Sequence, residues 1–244
     1  MNGSISDTEI ELGFNIGSDT PGPDGISATL IDKANRECMH NCLKFVFNEA
    51  WFRGCFVDEW KMEDRVVLRK PGKDDYHECS AYRTVSITSC IGKRFELITS
   101  RRLSAVLEET RFDADQFAYL RNRSTTEALL VLVETLKKGL LEGKKAGAVF
   151  FDFADAFESV NRHYLLLKLV RDFGVKGRLF LHIRSFLTSR CARMKINGEC
   201  GDWVDSIFGT SAGTRLGPLL FIVYVHDVPK SIFPKFADDL VSQC

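Results

Sequence analysis

Three carboxylates in this chain are placed where carboxylates have a chemical use. Asp152 ends the apolar run Ala146-Gly147-Ala148-Val149-Phe150-Phe151, and Asp238-Asp239 follow Phe236-Ala237 between apolar stretches. Adjacent carboxylates repel, and a nearly apolar strand gains no stability by holding two side by side. The pair makes sense if a divalent cation sits between it and a third carboxylate. An acidic residue at the end of one strand and an Asp pair at a second hairpin suit two-metal phosphoryl transfer. In that chemistry two ions about 3.5–4 Å apart stabilise the attacking and leaving oxygens. Mg²⁺ takes oxygen ligands and keeps several waters, so a few carboxylates suffice. Taken alone, Asp152 also reads as a strand-end Asp capping the next turn.

The elements that would position these groups follow from the pattern of apolar residues. Residues 1–25 are polar and Gly/Pro-rich, which predicts an extended segment with a rigid turn at Asp19-Thr20-Pro21-Gly22-Pro23-Asp24-Gly25. A helical pattern covers about 27–53. Arg65-Val66-Val67-Leu68 predicts a short strand before a turn at Lys70-Pro71-Gly72-Lys73. Ile91, Phe95, Ile98, Leu103 and Val106 share one side of a long helix over 88–110. Ser124-Thr125-Thr126-Glu127 has the form of a capping box and predicts a helix to about Leu141. The expected order is then a strand at 146–153, helices near 162–173 and 176–188, and strands near 192–197 and 202–208 split by Asn197-Gly198. A helix from about Pro218 to Asp227 leads to the strand before the Asp pair.

Formal net charge is zero, with 45% hydrophobic and 27% charged residues, an ordinary globular composition. The distribution is less even. Arg162, Lys168, Arg171, Lys176, Arg178, Arg184, Arg190, Arg193 and Lys195 face a single acid, Asp172, over residues 159–198. Such a stripe either neutralises phosphates or is a solvated helix face. Eight scattered Cys, no signal peptide and no long apolar run are read as reduced thiols of an intracellular protein, nuclear or cytoplasmic, without a membrane. Cys38 and Cys42 share a helix face but lack a second ligand pair, so they are expected to face the core rather than zinc.

In sequence order, further blocks join the carboxylates: Pro21-Gly22-Pro23-Asp24-Gly25-Ile26; Trp60-Lys61 with Val66-Val67-Leu68-Arg69-Lys70-Pro71-Gly72-Lys73; Tyr82-Arg83-Thr84-Val85-Ser86-Ile87; and Gln116-Phe117 through Arg123-Ser124-Thr125. Asp152-Phe153-Ala154-Asp155-Ala156-Phe157, Gly209 to Phe221 and Phe236-Ala237-Asp238-Asp239 complete the series. Together they resemble the reverse transcriptase domain of non-LTR (LINE-type) retrotransposons, collinearly from about residue 20 to 239. A group II intron maturase or telomerase-like polymerase is the weaker likeness, because the Pro-Gly-Pro-Asp-Gly start and fingers blocks look LINE-like.

The resemblance implies an α+β right-hand polymerase, with an N-terminal extension and fingers over 26–145 and an incomplete palm core with basic fingers-side helices over 146–244. The chain is expected to be truncated at its C-terminus, with the thumb absent and no endonuclease ahead of it. It implies Asp152, Asp238 and Asp239 as catalytic metal ligands, two Mg²⁺ ions (Mn²⁺ as a substitute), and RNA template, DNA primer and dNTP as partners. Lys73 and Arg83 match fingers cations that neutralise the triphosphate, although Asp74 and Asp75 leave Lys73 open. Backbone at Phe153, Asp155 and Ala156 would touch the triphosphate. Phe157 matches the aromatic that excludes a ribose 2′-hydroxyl, or is a core aromatic. Gly209 and Gly213 would admit the nascent pair, or are turn glycines. Arg162, Arg184, Arg190, Arg193 and Lys195 would face outward and grip nucleic acid. The departures fall on nucleotide-positioning groups: Ala212 replaces a Gln, Ser211 and Thr84 each replace a Pro, and Glu158 replaces an Asp. Ala118, Leu120 and Asn122 replace Gly, Arg and Gly. The rival expectation is therefore a catalytically silent nucleic-acid-binding remnant.

Overall fold

The computed structural model describes residues 2–14, 19–110, 115–153, 155–228 and 232–243. In chain order the elements are α1 (Asp7–Glu11), α2 (Ala28–Lys33), α3 (Arg36–Arg53), β1 (Met62–Arg69), β2 (Tyr82–Thr88), α4 (Cys90–Glu109) and α5 (Thr125–Leu141). They continue with β3 (Ala148–Phe151), α6 (Arg162–Arg171), α7 (Gly177–Leu187), β4 (Arg190–Ile196), β5 (Glu199–Cys200), β6 (Val204–Ser206), α8 (Gly217–Tyr224), β7 (Ile232–Phe236) and β8 (Asp239–Gln243). This is a mixed α and β fold with two sheets. The first runs β2-β1-β4-β5, with β6 also on β4, and the second runs β3-β8-β7.

The core between helices and the first sheet is aromatic. Phe47, Phe56, Trp60 and Phe95 pack ring on ring, with centroids 4.7 Å apart for Phe47 and Phe95 and 5.7 Å for Phe56 and Trp60. Rings of this kind contribute both apolar area and edge-to-face geometry. His182 sits in the same cluster, 4.4 Å from the Phe95 ring, and burial pushes its pKa down to about 3, so it is a neutral core residue.

Most expected elements are present, and the capping box at Ser124 and Glu127 forms as read. Three differences are informative. The N-terminal segment is not wholly extended, because Ser6 and Glu9 cap α1 reciprocally, and Ile5, Ile10 and Phe14 are buried. Cys38 and Cys42 are exposed rather than core-facing, because Leu43, Phe47, Ala50 and Trp51 are the α3 residues turned inward. The strand after Ser189 pairs parallel with β1, from Met62↔Cys191 to Val66↔Lys195, as well as turning back on itself at Asn197-Gly198.

An ionic latch fastens α1 to α3. The His40 ring nitrogens lie 2.7 Å from a Glu11 oxygen and 2.8 Å from an Asp7 oxygen, and Lys44 reaches Asp7 at 2.7 Å. The hydrogen bond to Asp7 raises the His40 pKa against the opposing pull of burial, and Glu11 adds to the rise. A raised histidine pKa adds stability that is complete below the unfolded value, about 6.5, and lost as pH climbs through the folded value. Asp7 and Glu11, whose pKa values are lowered by their partners, add theirs only above the ordinary carboxylate range. Amide exchange in residues 5–12 should therefore be slowest near pH 5–6, after correction for intrinsic rates, and rise at alkaline pH. His40→Ala should remove that alkaline rise, and an unchanged profile would discard the latch.

Candidate active site

The second sheet brings the separated acidic segments together. β3 pairs antiparallel with β8 in the register Val149↔Ser242, Phe150↔Val241 and Phe151↔Leu240. Asp152 is the next residue after β3, so it continues toward the corner where β7 turns into β8. That corner is tight: Phe236 pairs with Asp239 across Ala237-Asp238, and Ala237 has φ +57°. Asp152 is exposed and Asp238 half-buried. Asp239 opens β8, and its side chain lies outside the described atoms.

The corner is tied down from outside the sheet. Residues 115–117 run parallel to β7, with Lys235 N–H donating to Asp115 O and Phe117 N–H to Lys235 O, both at 2.9 Å. The Gln116 side-chain oxygen accepts from Ala118 N–H at 2.9 Å and from Ala237 N–H at 3.1 Å. Nearby Tyr119, itself at φ +57°, has its phenol pKa raised by burial and then by the Asp238 charge. An apolar cavity of about 370 Å³ opens beside Asp152, lined by Leu129, Leu132, Phe150, Phe151 and Phe236 among others.

Among the described residues, no three His, Cys, Asp or Glu side chains are grouped to hold a metal. The third carboxylate of the expected set, Asp239, is the one whose side chain is not described. The two that are described are hard oxygen donors, one of them open to solvent, and this chemistry fits Mg²⁺ or Mn²⁺.

Phe153 and Asp155 are exposed and Ala156 is buried; Asp155 has φ +51°. Phe157 is half-buried, its ring centroid 5.1 Å from that of Phe221 on α8, so it combines a core contact with a partly free face. The 209–216 loop beside it is bonded to three other elements. Gly209 N–H donates to Val160 O, Thr210 N–H to Phe157 O and Ser86 N–H to Ala212 O, each at 2.9 Å. Buried Glu96 on α4 accepts from Arg215 N–H at 2.7 Å and Leu216 N–H at 3.3 Å.

These contacts give both loop glycines a use the sequence did not disclose: close approach to the chain itself. A Cβ on Gly209, at φ +81°, would lie 2.8 Å from Phe157 O, and one on Gly213, at φ +102°, 2.7 Å from Ser86 O. Gly213→Ala should destabilise by at least about 2 kcal/mol, since positive φ alone costs an L-residue about 1–2 kcal/mol. For a chain of this size that is about 4–8 °C in Tm. Gly198→Ala is the control, because its φ is +90° but its Cβ would meet nothing within 4 Å. Equal losses in thermal denaturation would mean that strain, not the Ser86 contact, sets the requirement.

The basic stripe divides. Arg184 is exposed, as are Lys73 and Arg83. Arg190 is not outward but 1% exposed, with its guanidinium 3.1 Å from Glu63. Arg162 donates to Gly209 O and Phe208 O at 2.8 Å and also to Ser206 O; burial and then Arg190 lower its pKa to about 10, which leaves it charged at neutral pH. Arg193 is held 2.7 Å from Asp64 and lies over the Trp203 ring, and Lys195 is 3.6 Å from Asp64. The partners of Arg190 and Arg193, Glu63 and Asp64, lie more than a hundred residues away and leave no local trace in the sequence. Gln116 and Tyr119, both in the block that begins at Gln116, carry no local signal that they stand beside the Asp238 corner.

Known proteins similar to this chain are retrotransposon polymerases by name. The chain is 27% identical over 229 residues to a protein named "Probable RNA-directed DNA polymerase from transposon X-element" from Drosophila melanogaster, covering 90% of this chain and 25% of that one. It is 28% identical over 188 residues to the RNA-directed DNA polymerase from mobile element jockey of the same fly, covering 77% of this chain and 20% of the relative. A Pol polyprotein from the type-1 retrotransposable element R1 of Bradysia coprophila matches at 25% identity over 230 residues, 90% of this chain and 22% of that one. The chain thus spans about a quarter or less of these relatives' lengths. Residues 68–244 match the family model described as reverse transcriptase (RNA-dependent DNA polymerase). The chain belongs to the reverse transcriptase family.

Proposed function

We propose that this chain carries the nucleotidyl-transfer centre of a retrotransposon reverse transcriptase, with the second sheet as palm and the first as fingers. The observation that supports it most is the β3–β8 pairing, which directs Asp152 toward the Asp238-Asp239 corner. The substrates would be an RNA template, a DNA primer and a dNTP. The primer 3′-hydroxyl attacks the α-phosphate and pyrophosphate leaves. Two Mg²⁺ ions held by Asp152, Asp238 and Asp239 would supply stabilisation of charge on the attacking and leaving oxygens. Exposed Lys73 and Arg83 would neutralise the triphosphate, and the backbone at Phe153, Asp155 and Ala156 would line it. The free face of Phe157, fixed by the Phe221 ring, would wall off a ribose 2′-hydroxyl. Among the cations, Arg184 and Lys195 keep exposure enough to meet a nucleic-acid backbone, whereas Arg190 serves the interior.

A second reading, a silent nucleic-acid-binding domain, is favoured by Ala212. Its carbonyl is committed to Ser86 N–H, and its methyl group offers nothing to a nucleotide. Primer extension on an annealed RNA–DNA primer–template, in Mg²⁺ and in Mn²⁺, decides between the two. Extension that Asp238→Asn removes supports the polymerase; salt-sensitive binding without extension supports the silent domain.

A further inference from the structure

We infer that Gln116 is a positioning residue for the Asp238 corner, an inference that rests on the proposed metal-carboxylate site. Sequence alone shows no role for Gln116, an uncharged amide in an irregular stretch. In the fold it is 2% exposed and its single oxygen accepts two backbone N–H groups, Ala118 at 2.9 Å and Ala237 at 3.1 Å. The second of these is decisive. Ala237 is itself 2% exposed, stands at φ +57° and immediately precedes Asp238. An alanine prefers to leave that left-handed region, at a gain of about 1–2 kcal/mol. Its buried N–H would also lack an intrastrand partner at a hairpin corner, where such a loss costs about 1–3 kcal/mol. The Gln116 oxygen answers both, and the flanking Asp115–Lys235 and Phe117–Lys235 backbone bonds fix the amide's own position. Gln116 therefore sets, through the Ala237 backbone, the direction in which the Asp238 carboxylate leaves the chain.

The test is Mn²⁺ affinity, read by proton relaxation enhancement on the folded chain, together with exchange of the Ala237 amide. Wild type should bind Mn²⁺ in a way that Asp238→Asn removes, and its Ala237 amide should be protected. Gln116→Met keeps the side chain's length and loses the acceptor. It should weaken Mn²⁺ binding about tenfold, the usual effect of losing a group that orients a metal ligand, and deprotect Ala237. Gln116→Glu restores an oxygen and should keep at least the wild-type affinity. If Gln116→Met does not fold, Gln116→Asn, whose oxygen is withdrawn by one methylene, takes its place with the same expected loss. A residue that only supported the fold would lower Tm and leave the affinity of the folded fraction unchanged. That outcome, or a rapidly exchanging Ala237 amide in wild type, overturns the inference while the metal site stands. Absence of any Asp238-dependent Mn²⁺ binding overturns the metal site and the inference with it.

Discussion

Arg190→Ala should lower the unfolding free energy by about 3–5 kcal/mol, the range measured when one member of a buried ion pair is removed. The Glu63 side chain is completely buried and Arg190 nearly so, 3.1 Å apart, with Arg65 on the other Glu63 oxygen at 2.8 Å. Arg190 also donates to Phe186 O at 3.3 Å and stacks on the Phe186 ring. Burial works against ionisation of Glu63, yet Arg190 and Arg65 outweigh it and hold its pKa below the usual value. A depressed carboxylate pKa adds stability that is present above the unfolded value and lost as pH falls through the folded one. The variant should thus lose most at neutral pH and least in acid, so its difference from wild type in urea denaturation should shrink toward pH 3. Replacing both residues by Met should be milder than Arg190→Ala, because no charge is then orphaned. A loss under about 1 kcal/mol for Arg190→Ala would mean that Glu63 is served by Arg65 alone.

That pair also marks the limit of what the sequence disclosed. The helices from Ser124 and near residues 88–110 were legible because caps and 3.6-residue periodicity are local. That the Asp152 and Asp238-Asp239 segments meet in one sheet was legible because the family's blocks stand in order. The fate of the cations was not. Arg184 and Arg190 are both arginines in one basic stretch, and only the parallel pairing of β4 with β1 decides that Arg190 meets Glu63. Side-chain alternation on β4 then sends Arg193 to the opposite face and Asp64. The same holds for Gly213, whose need arises from Ser86, and for Gln116, whose partner Ala237 is 121 positions away. Long-range pairing assigns these roles, and a single sequence carries no local record of it.

Asp238→Asn and Asp152→Asn should each cut primer extension by about a thousandfold or more. A metal-held charge is worth several kcal/mol in the transition state, and each 1.4 kcal/mol is a factor of ten in rate. Both changes are nearly isosteric, and Asp152 is exposed, so thermal stability should stay within about 1 kcal/mol of wild type. Primer–template affinity should change little, because exposed cations, not these carboxylates, would grip the backbone. The combination of lost rate, kept fold and kept binding is what separates a metal carboxylate from a structural one. Ala212→Gln alone should not restore a silent chain, since it supplies a nucleotide contact but adds nothing to the hold on the duplex. If wild type extends primers over many nucleotides, Ala212 is no handicap and the silent-domain reading fails. If extension persists undiminished in Asp238→Asn, the Asp238-Asp239 corner does not hold the reacting centre, and the polymerase assignment of this site fails.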